Sequence, residues 1–179
     1  FPYTTLFRSK RRIRNLQALG VMDIVGVDLR ADRREEVMQR YGIAVEANLE
    51  SYWTMHSPNL AIISLPPKAH AEAMKACLSH KVPFFVEASV VDDGLIEVIA
   101  LAKKTGIVAA PSSTLHFHPA IAEVTRIVRS GRLGKISNVM LHSGQYLPDW
   151  HTYELVSDYY VSDPATGGAR EIVPFEMTW

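Results

Sequence analysis

Two short apolar runs, residues 60–65 and 83–86, constrain the fold of this chain more than any other feature of its sequence. Each has the length and composition of a strand that is buried on both faces. Each ends at polar or turn-forming residues, and the segment between them, residues 69–80, is long enough for a helix. Two buried strands joined by a helix form a parallel unit, so we expect functional groups at the carboxyl ends of these strands.

The same alternation of strand and helix continues on both sides of this unit. A capping-box pattern begins at Asp32, and in a later helix Leu95, Ile96 and Ile99 are predicted to face the core. The sequence therefore predicts an α/β fold, a Rossmann-like doubly wound parallel sheet. The further elements that we predict are strands at residues 22–27, 43–45 and 107–110 and helices at residues 32–41, 49–53 and 92–105.

The pattern changes after Pro119, where a helix at residues 121–129 precedes an alternating strand at residues 136–143. We expect residues 1–9 to be a foreign or disordered head, with a Thr-rich strand at residues 3–7 as the alternative. Residues 10–119 are predicted to form a dinucleotide-binding domain that lacks its first strand and glycine turn. Residues 120–179 are predicted to begin a second, truncated α/β domain with an open sheet.

Charge and composition narrow the class of protein. The chain of 179 residues carries 19 basic and 19 acidic side chains, so phosphate neutralisation does not favour a nucleic-acid partner. No apolar run reaches the length of a membrane helix. The single cysteine, Cys77, is typical of a reducing compartment, and no zinc-ligand spacing occurs. We expect a cytoplasmic protein without a membrane partner or a metal.

Asp28 follows a predicted strand at the position where dinucleotide-binding domains place an acid. That carboxylate accepts hydrogen bonds from the adenosine ribose, about 20 residues after a glycine-rich turn. No glycine precedes Gly20, so we expect the first strand and its turn to be lost, and the strands at residues 22–27 and 60–65 to lack their shared neighbour. The alternative is that Asp28 only caps a turn.

The charged residues around Asp28 bear on the choice of cofactor. Arg30 would favour NADP if it held a 2′-phosphate, whereas the negative charge of Asp28 favours NAD. We expect NAD and leave NADP open. Arg33 and Arg34 could hold the same phosphate, and the basic cluster at residues 10–14 could draw phosphate to a helix N-terminus. A solvated face is the preferred interpretation of both groups.

Five motifs occur in a fixed order along the chain: residues 15–20, residues 63–67 with His70, residues 85–87, residues 117–119 and residues 131–136. Together they resemble the Gfo/Idh/MocA oxidoreductases, which are NAD(P)-dependent enzymes of sugars, inositols and related polyols. The resemblance implies a Rossmann domain followed by an α/β domain.

The resemblance also implies roles for residues at two strand exits. Ser64, Leu65 and Pro66 would line the nicotinamide–ribose channel, and His70 would lie just behind it. The alternative for His70 is a capping or core histidine. Glu87 would lie near the nicotinamide ribose.

The chain departs from the family pattern where protons are handled. The lysine that follows the family's glutamate is Ala88 here, and the position of a downstream histidine falls on Phe175. Neither side chain transfers protons. The acid–base groups that we consider in their place are Glu176, Glu171 and His118. Aromatic and polar side chains suited to a sugar follow one another at Tyr146, Asp149, Trp150 and His151, with ordinary packing as the alternative for the aromatic residues.

These observations predict a parent enzyme that transfers hydride between a nicotinamide cofactor and a hydroxyl of a sugar, polyol or nucleotide sugar. We expect that parent to be a homo-oligomer and the 179-residue chain to be inactive. One alternative is a non-catalytic relative that binds cofactor or sugar, and a weaker one is a module that binds protein partners. The prediction rests on Asp28 and Glu87 flanking one groove at the carboxyl edge of one sheet.

Overall fold

The computed structural model describes residues 6–89, 91–144, 146–150, 152, 155–158, 160–168, 170, 173 and 176–177. The chain divides into two compact units. The first comprises Phe1–Glu87 and Asp93–Ala110, and the second comprises Ala88–Asp92 and Pro111–Trp179. The division therefore falls before the boundary that the sequence predicted at residue 119.

Helices and strands alternate through the first unit, as the apolar runs predicted. The predicted α/β fold class, with parallel strands and flanking helices, is thereby confirmed. The elements in chain order are α1 (Leu6–Ala18), β1 (Val25–Val27), α2 (Ala31–Tyr41), β2 (Ala44–Glu46), α3 (Leu49–Met55), β3 (Ala61–Ile63), α4 (His70–Ser79), β4 (Phe84–Val86), α5 (Leu95–Thr105) and β5 (Ala109–Pro111), the last of which ends at the start of the second unit. A 3-10 turn, Pro67–Ala69, precedes α4.

The strands form two sheets. Strand β1 pairs with β2 in parallel, with Gly26 opposite Val45, and β3 pairs with β4 in parallel, with Ile62 opposite Phe85. Strand β5 adjoins β4, and no sheet pairing joins β1 to β3 in the part of the chain that the structure describes. No described strand pairs with both β1 and β3, so the strands that precede Asp28 and Glu87 lie in two sheets and not in the one sheet expected for them. The loss of a first strand stays a prediction.

The core of the first unit lies where α4 and α5 cover the sheet of β3 and β4. Phe84, Leu78 and Cys77 are its most deeply buried apolar side chains, and Val98 of α5 packs with them. The predicted inner face of α5 is partly wrong. Leu95 does pack against the core, but Ile96 is 84% exposed and Ile99 is also exposed, because the helix turns Val98 inward instead.

The predicted end of α2 is correct, but the capping box predicted at its start is not present. The helix ends at Gly42, whose φ of 65° is a left-handed conformation that glycine adopts without strain. No side chain caps its start, so the predicted capping box is absent. Asp32 lies inside the first turn and pairs with Arg30, whose hydrogen bond lowers the pKa of the Asp32 carboxyl to about 2.

The second unit contains little regular structure among its described residues. Its longest helix is α6 (Pro119–Arg129), which follows a 3-10 turn, Leu115–Phe117. The strand predicted at residues 136–143 is wrong: this segment forms no strand and is exposed, because no described strand pairs with it. Further short elements are α7 (Leu147–Trp150) and the 3-10 turns Val156–Asp158 and Tyr160–Ser162.

Among the described residues, no helix combines the length and apolar character that a membrane crossing requires. The described residues also hold no group of three or more histidine, cysteine, aspartate or glutamate side chains arranged to bind a metal ion.

Candidate functional site

Asp28 lies directly after β1, at the carboxyl end of the strand, as predicted. Its Oδ1 accepts a hydrogen bond of 2.9 Å from the backbone N–H of Arg30, so the carboxylate turns toward the start of α2. Its backbone N–H donates to the carbonyl of Glu46, which continues the pairing with β2. The side chain remains 19% exposed. Asp28 is thus anchored at one oxygen while part of its carboxylate stays accessible.

The arginines near Asp28 differ from the predicted solvated face. Arg33 is buried, with Nη1 3.9 Å from Oδ2 of Asp28. Arg34 donates from Nη1 to the carbonyls of Asp28 and Leu29, at 2.9 Å and 2.8 Å. Arg30 donates a hydrogen bond to the Asp32 carboxylate, with Nε 3.0 Å from Oδ1. These arginines hold the turn after β1 in shape, which their sequence pattern did not reveal.

Ser64, Leu65 and Pro66 follow β3 and lead into the 3-10 turn before α4. Ser64 is 8% exposed, and its Oγ has no hydrogen-bond partner among the described residues. His70 is buried, and its Nε2 lies 2.8 Å from the carbonyl oxygen of Leu65. In a neutral ring that nitrogen must therefore carry the proton. His70 is the core histidine of the predicted alternative, tying the start of α4 to the exit of β3.

Glu87 follows β4, next to Ser64 across the pair of strands. Its backbone N–H donates to the carbonyl of Ile63 at 3.0 Å, which extends the pairing of β3 and β4 by one residue. Its side chain is 6% exposed, so the expectation of two acids on an open groove is wrong for Glu87. The two acids also belong to different sheets.

The burial of Glu87 has a specific cause, which is Arg12 of α1. Arg12 donates from Nε to Oε1 of Glu87 at 2.8 Å, and its guanidinium carbon lies 4.6 Å from the centroid of the Phe85 ring. Nη2 lies 2.8 Å from the same oxygen but makes no hydrogen bond, so that approach adds charge attraction alone. Arg12 therefore does not lie on the solvated face expected from the sequence, and no local pattern marks its partner 75 residues away.

The candidate catalytic and substrate residues of the second unit are spread over several segments. His118 caps α6: its Nδ1 accepts a 3.2 Å hydrogen bond from the backbone N–H of Ala120, and the residue is exposed. Glu176 accepts a hydrogen bond of 3.0 Å from Ser143. Tyr146 and Asp149 are exposed, and no side-chain hydrogen bond joins them to each other or to His118 in the residues described.

Several predictions concern groups that the structure does not describe. Glu171 and His151, one a catalytic candidate and the other a substrate candidate, lie outside the described residues. Phe175, the departure from the family's histidine, lies outside them as well. For Trp150 the backbone ends α7, and its side chain is not described. Their roles stay predictions.

The chain is similar to several solved structures, but comparisons of its sequence with protein families and with curated proteins found no match. The fold is similar to that of the WlbA dehydrogenase from Chromobacterium violaceum, solved with NADH and UDP-GlcNAcA, with a TM-score of 0.65 and 14% identity. It is also similar to myo-inositol 2-dehydrogenase from Lactobacillus plantarum, with a TM-score of 0.66 and 17% identity.

A third similar structure is KijD10, a 3-ketoreductase from Actinomadura kijaniata in complex with NADP and TDP-benzene, with a TM-score of 0.59 and 17% identity. These matches cover 72%, 71% and 66% of the chain but only 38%, 39% and 38% of the respective dehydrogenases. The chain therefore spans less than half the length of the proteins it is similar to. The comparisons establish that it shares its fold with part of three reductases and dehydrogenases, two of which were solved with NADH or NADP bound.

Proposed function

We propose that the chain is the cofactor-binding part of a Gfo/Idh/MocA-type oxidoreductase. The reaction is hydride transfer between a nicotinamide cofactor and a hydroxyl of a sugar, polyol or nucleotide sugar. One observation carries the proposal: Asp28, Ser64 and Glu87 each follow the carboxyl end of a strand in a parallel pair, β1 with β2 and β3 with β4, in a fold similar to that of dehydrogenases. Ligands of open α/β sheets bind beyond such strand ends.

The groups at these strand ends suit the two nucleoside ends of a dinucleotide. Asp28 keeps part of its carboxylate accessible for a ribose hydroxyl, and the buried Oγ of Ser64 has an unused hydrogen-bonding capacity that a polar ligand would satisfy. The pyrophosphate in the middle of the dinucleotide has fewer groups to bind it. No glycine precedes Gly20, so the chain has no glycine turn for it. When bound, the cofactor supplies the hydride chemistry.

Each strand exit has its own task in this proposal. Asp28 binds the adenosine ribose, and Ser64, Leu65, Pro66 and Glu87 border the nicotinamide half of the cofactor. Arg30 already pairs with Asp32, and the partly exposed carboxylate of Asp28 is the anion that a bound ribose would meet at the exit of β1. That arrangement favours NAD over NADP, because a 2′-phosphate would lie against an anion.

A second function, binding without catalysis, is favoured by one residue. Ala88 follows Glu87 where the family has a lysine, and a methyl group cannot move a proton. The catalytic proposal then requires Glu176, Glu171 or His118 to serve as the acid–base group. A panel of sugars and polyols, with the absorbance of the reduced cofactor as readout, separates the two functions, since the binding relative takes up cofactor without oxidising or reducing any of them.

Titration with NADH and NADPH tests the cofactor site. We expect weak binding, in the millimolar range, because the glycine turn is missing, with NADH bound more tightly than NADPH. Asp28→Asn removes the charge but keeps the shape, and it should weaken NADH binding about tenfold, since hydrogen bonds to charged groups contribute about 1.5–3 kcal/mol.

The matched control is Asp23→Asn, an exposed acid five residues away, which should leave NADH affinity unchanged. Isothermal calorimetry or NMR titration measures both. Equal effects of the two variants, or micromolar NADH binding by the wild-type chain, would contradict the assigned role of Asp28 and the importance of the missing turn, respectively.

A further inference from the structure

An ion pair joins Arg12 of α1 to Glu87 at the predicted cofactor edge. The two residues lie 75 positions apart in the sequence. Glu87 is buried at the exit of β4, and Arg12 comes from the second turn of α1. Polar side chains on either side of Arg12 also tie α1 to the unit: Lys10 pairs with Glu36 of α2, and Gln17 donates to the carbonyl of Tyr41 at 2.9 Å. Helix α1 is thereby fixed in place around Arg12.

The guanidinium of Arg12 is held in a defined orientation. Its Nε hydrogen bond to Oε1 of Glu87 sets one direction, and its position over the Phe85 ring sets the plane. Planar, delocalised guanidinium groups pair with carboxylates and stack on aromatic rings in this way, whereas a lysine ammonium does neither with the same geometry. Arg12 therefore fixes both the place and the rotation of the Glu87 carboxylate.

The contacts with Arg12 centre on one oxygen of Glu87. The hydrogen bond from Nε and the closest approach of Nη2 both go to Oε1. At the exit of the neighbouring strand, the Oγ of Ser64 is buried without a hydrogen-bond partner among the described residues. Oε2 of Glu87 and the hydroxyl of Ser64 thus follow two paired strands, β4 and β3, and each has hydrogen-bonding capacity for a ligand that carries hydroxyl groups.

We propose that Arg12 is a positioning residue, which holds Glu87 through Oε1 so that Oε2 accepts a hydrogen bond from a hydroxyl of the nicotinamide half of the cofactor. This inference rests on the proposed function. Arg12 does not touch the ligand; it acts through Glu87. Its loss should therefore weaken ligands that reach Glu87 and spare those that bind only at Asp28.

The test compares two half-ligands on the same protein by NMR titration. Reduced nicotinamide mononucleotide probes the Glu87 side, and adenosine monophosphate probes the Asp28 side. Arg12→Met should weaken the nicotinamide ligand at least tenfold and leave the adenosine ligand within twofold of wild type. Arg14→Met, an exposed arginine on the same helix, is the matched control and should change neither.

Arg12→Lys gives a second measure that does not depend on the folding of the Arg12→Met variant. It keeps the charge but loses the planar fork, so we expect a three- to tenfold loss for the nicotinamide ligand alone. A uniform loss for both half-ligands, or none for the nicotinamide ligand, overturns the positioning role. Failure of the wild-type chain to bind either half-ligand overturns the proposed function itself, and the positioning role with it.

Discussion

At the scale of single residues, burial sets the chemistry of Cys77. The side chain lies in the core beside Leu78 and Phe84, and burial raises the pKa of its thiol from an ordinary value of 9.0 to about 11. A thiolate is poorly solvated there, so the folded state keeps the proton that the unfolded state releases. Cys77 is thus a packing residue and a poor nucleophile near neutral pH.

The pH dependence of stability follows from this shift. Below about pH 9 the thiol is protonated in both states, so its contribution is intact, and it is lost as the pH rises through the folded pKa. The loss at high pH should approach about 2–3 kcal/mol, from a shift of about two pKa units. Urea unfolding of the wild type and Cys77→Ala should show a difference in the free energy of unfolding that shrinks between about pH 9 and pH 11. A constant difference would contradict the assignment.

At the scale of elements, short strands make the helices decisive for the stability of the first unit. Each strand has three residues, and neither sheet exceeds three strands. Such small sheets are marginal without a helix packed on them. The contacts of α4 and α5 with the sheet of β3 and β4 are therefore the main source of apolar burial.

The orientation of α5 is directly testable with two substitutions on one helix. Val98→Ala removes buried methyl groups and should lower the free energy of unfolding by about 1–3 kcal/mol. Ile96→Ala removes more carbon atoms from an exposed position and should change it by less than about 0.5 kcal/mol. Urea denaturation followed by circular dichroism measures both. The reverse order of effects would mean that α5 presents its originally predicted face to the core.

At the scale of the whole molecule, the second unit exposes several apolar side chains to solvent. Val139 and Met140 are largely exposed in a segment without regular structure, and Val124 and Val128 are exposed on α6. Apolar patches of this kind promote association in water. The homo-oligomer expected of the parent stays a prediction.

Self-association can be measured by light scattering over a range of protein concentrations. We expect the wild-type chain to form species larger than a monomer, and the double substitution Val139→Lys with Met140→Lys to raise the monomer fraction. Asn138→Lys adds a charge to the same segment without removing apolar surface, so it should have a smaller effect. A wild-type chain that stays monomeric at every concentration would exclude the association.

How far the sequence could predict this molecule depends on the range of the interaction. The alternation of strands and helices, Gly42 as the end of α2, and Asp28 at the exit of β1 all follow from patterns within about ten residues. The inward side of α5 and the strand expected at residues 136–143 were predicted wrongly, because an apolar pattern does not state which surface will cover it. The strands form two sheets because the described residues include no strand that pairs with both β1 and β3.

The sequence by itself determined the class of fold and which residues end the strands, because backbone periodicity and turn chemistry are local. Only the tertiary structure decided which charges pair: Arg33 beside Asp28, and Arg12 on Glu87. A run of basic residues at the start of a helix looks the same whether it faces water or a carboxylate 75 residues away. Burial and charge neutralisation arise when distant elements pack, so these contacts become visible only in the folded chain.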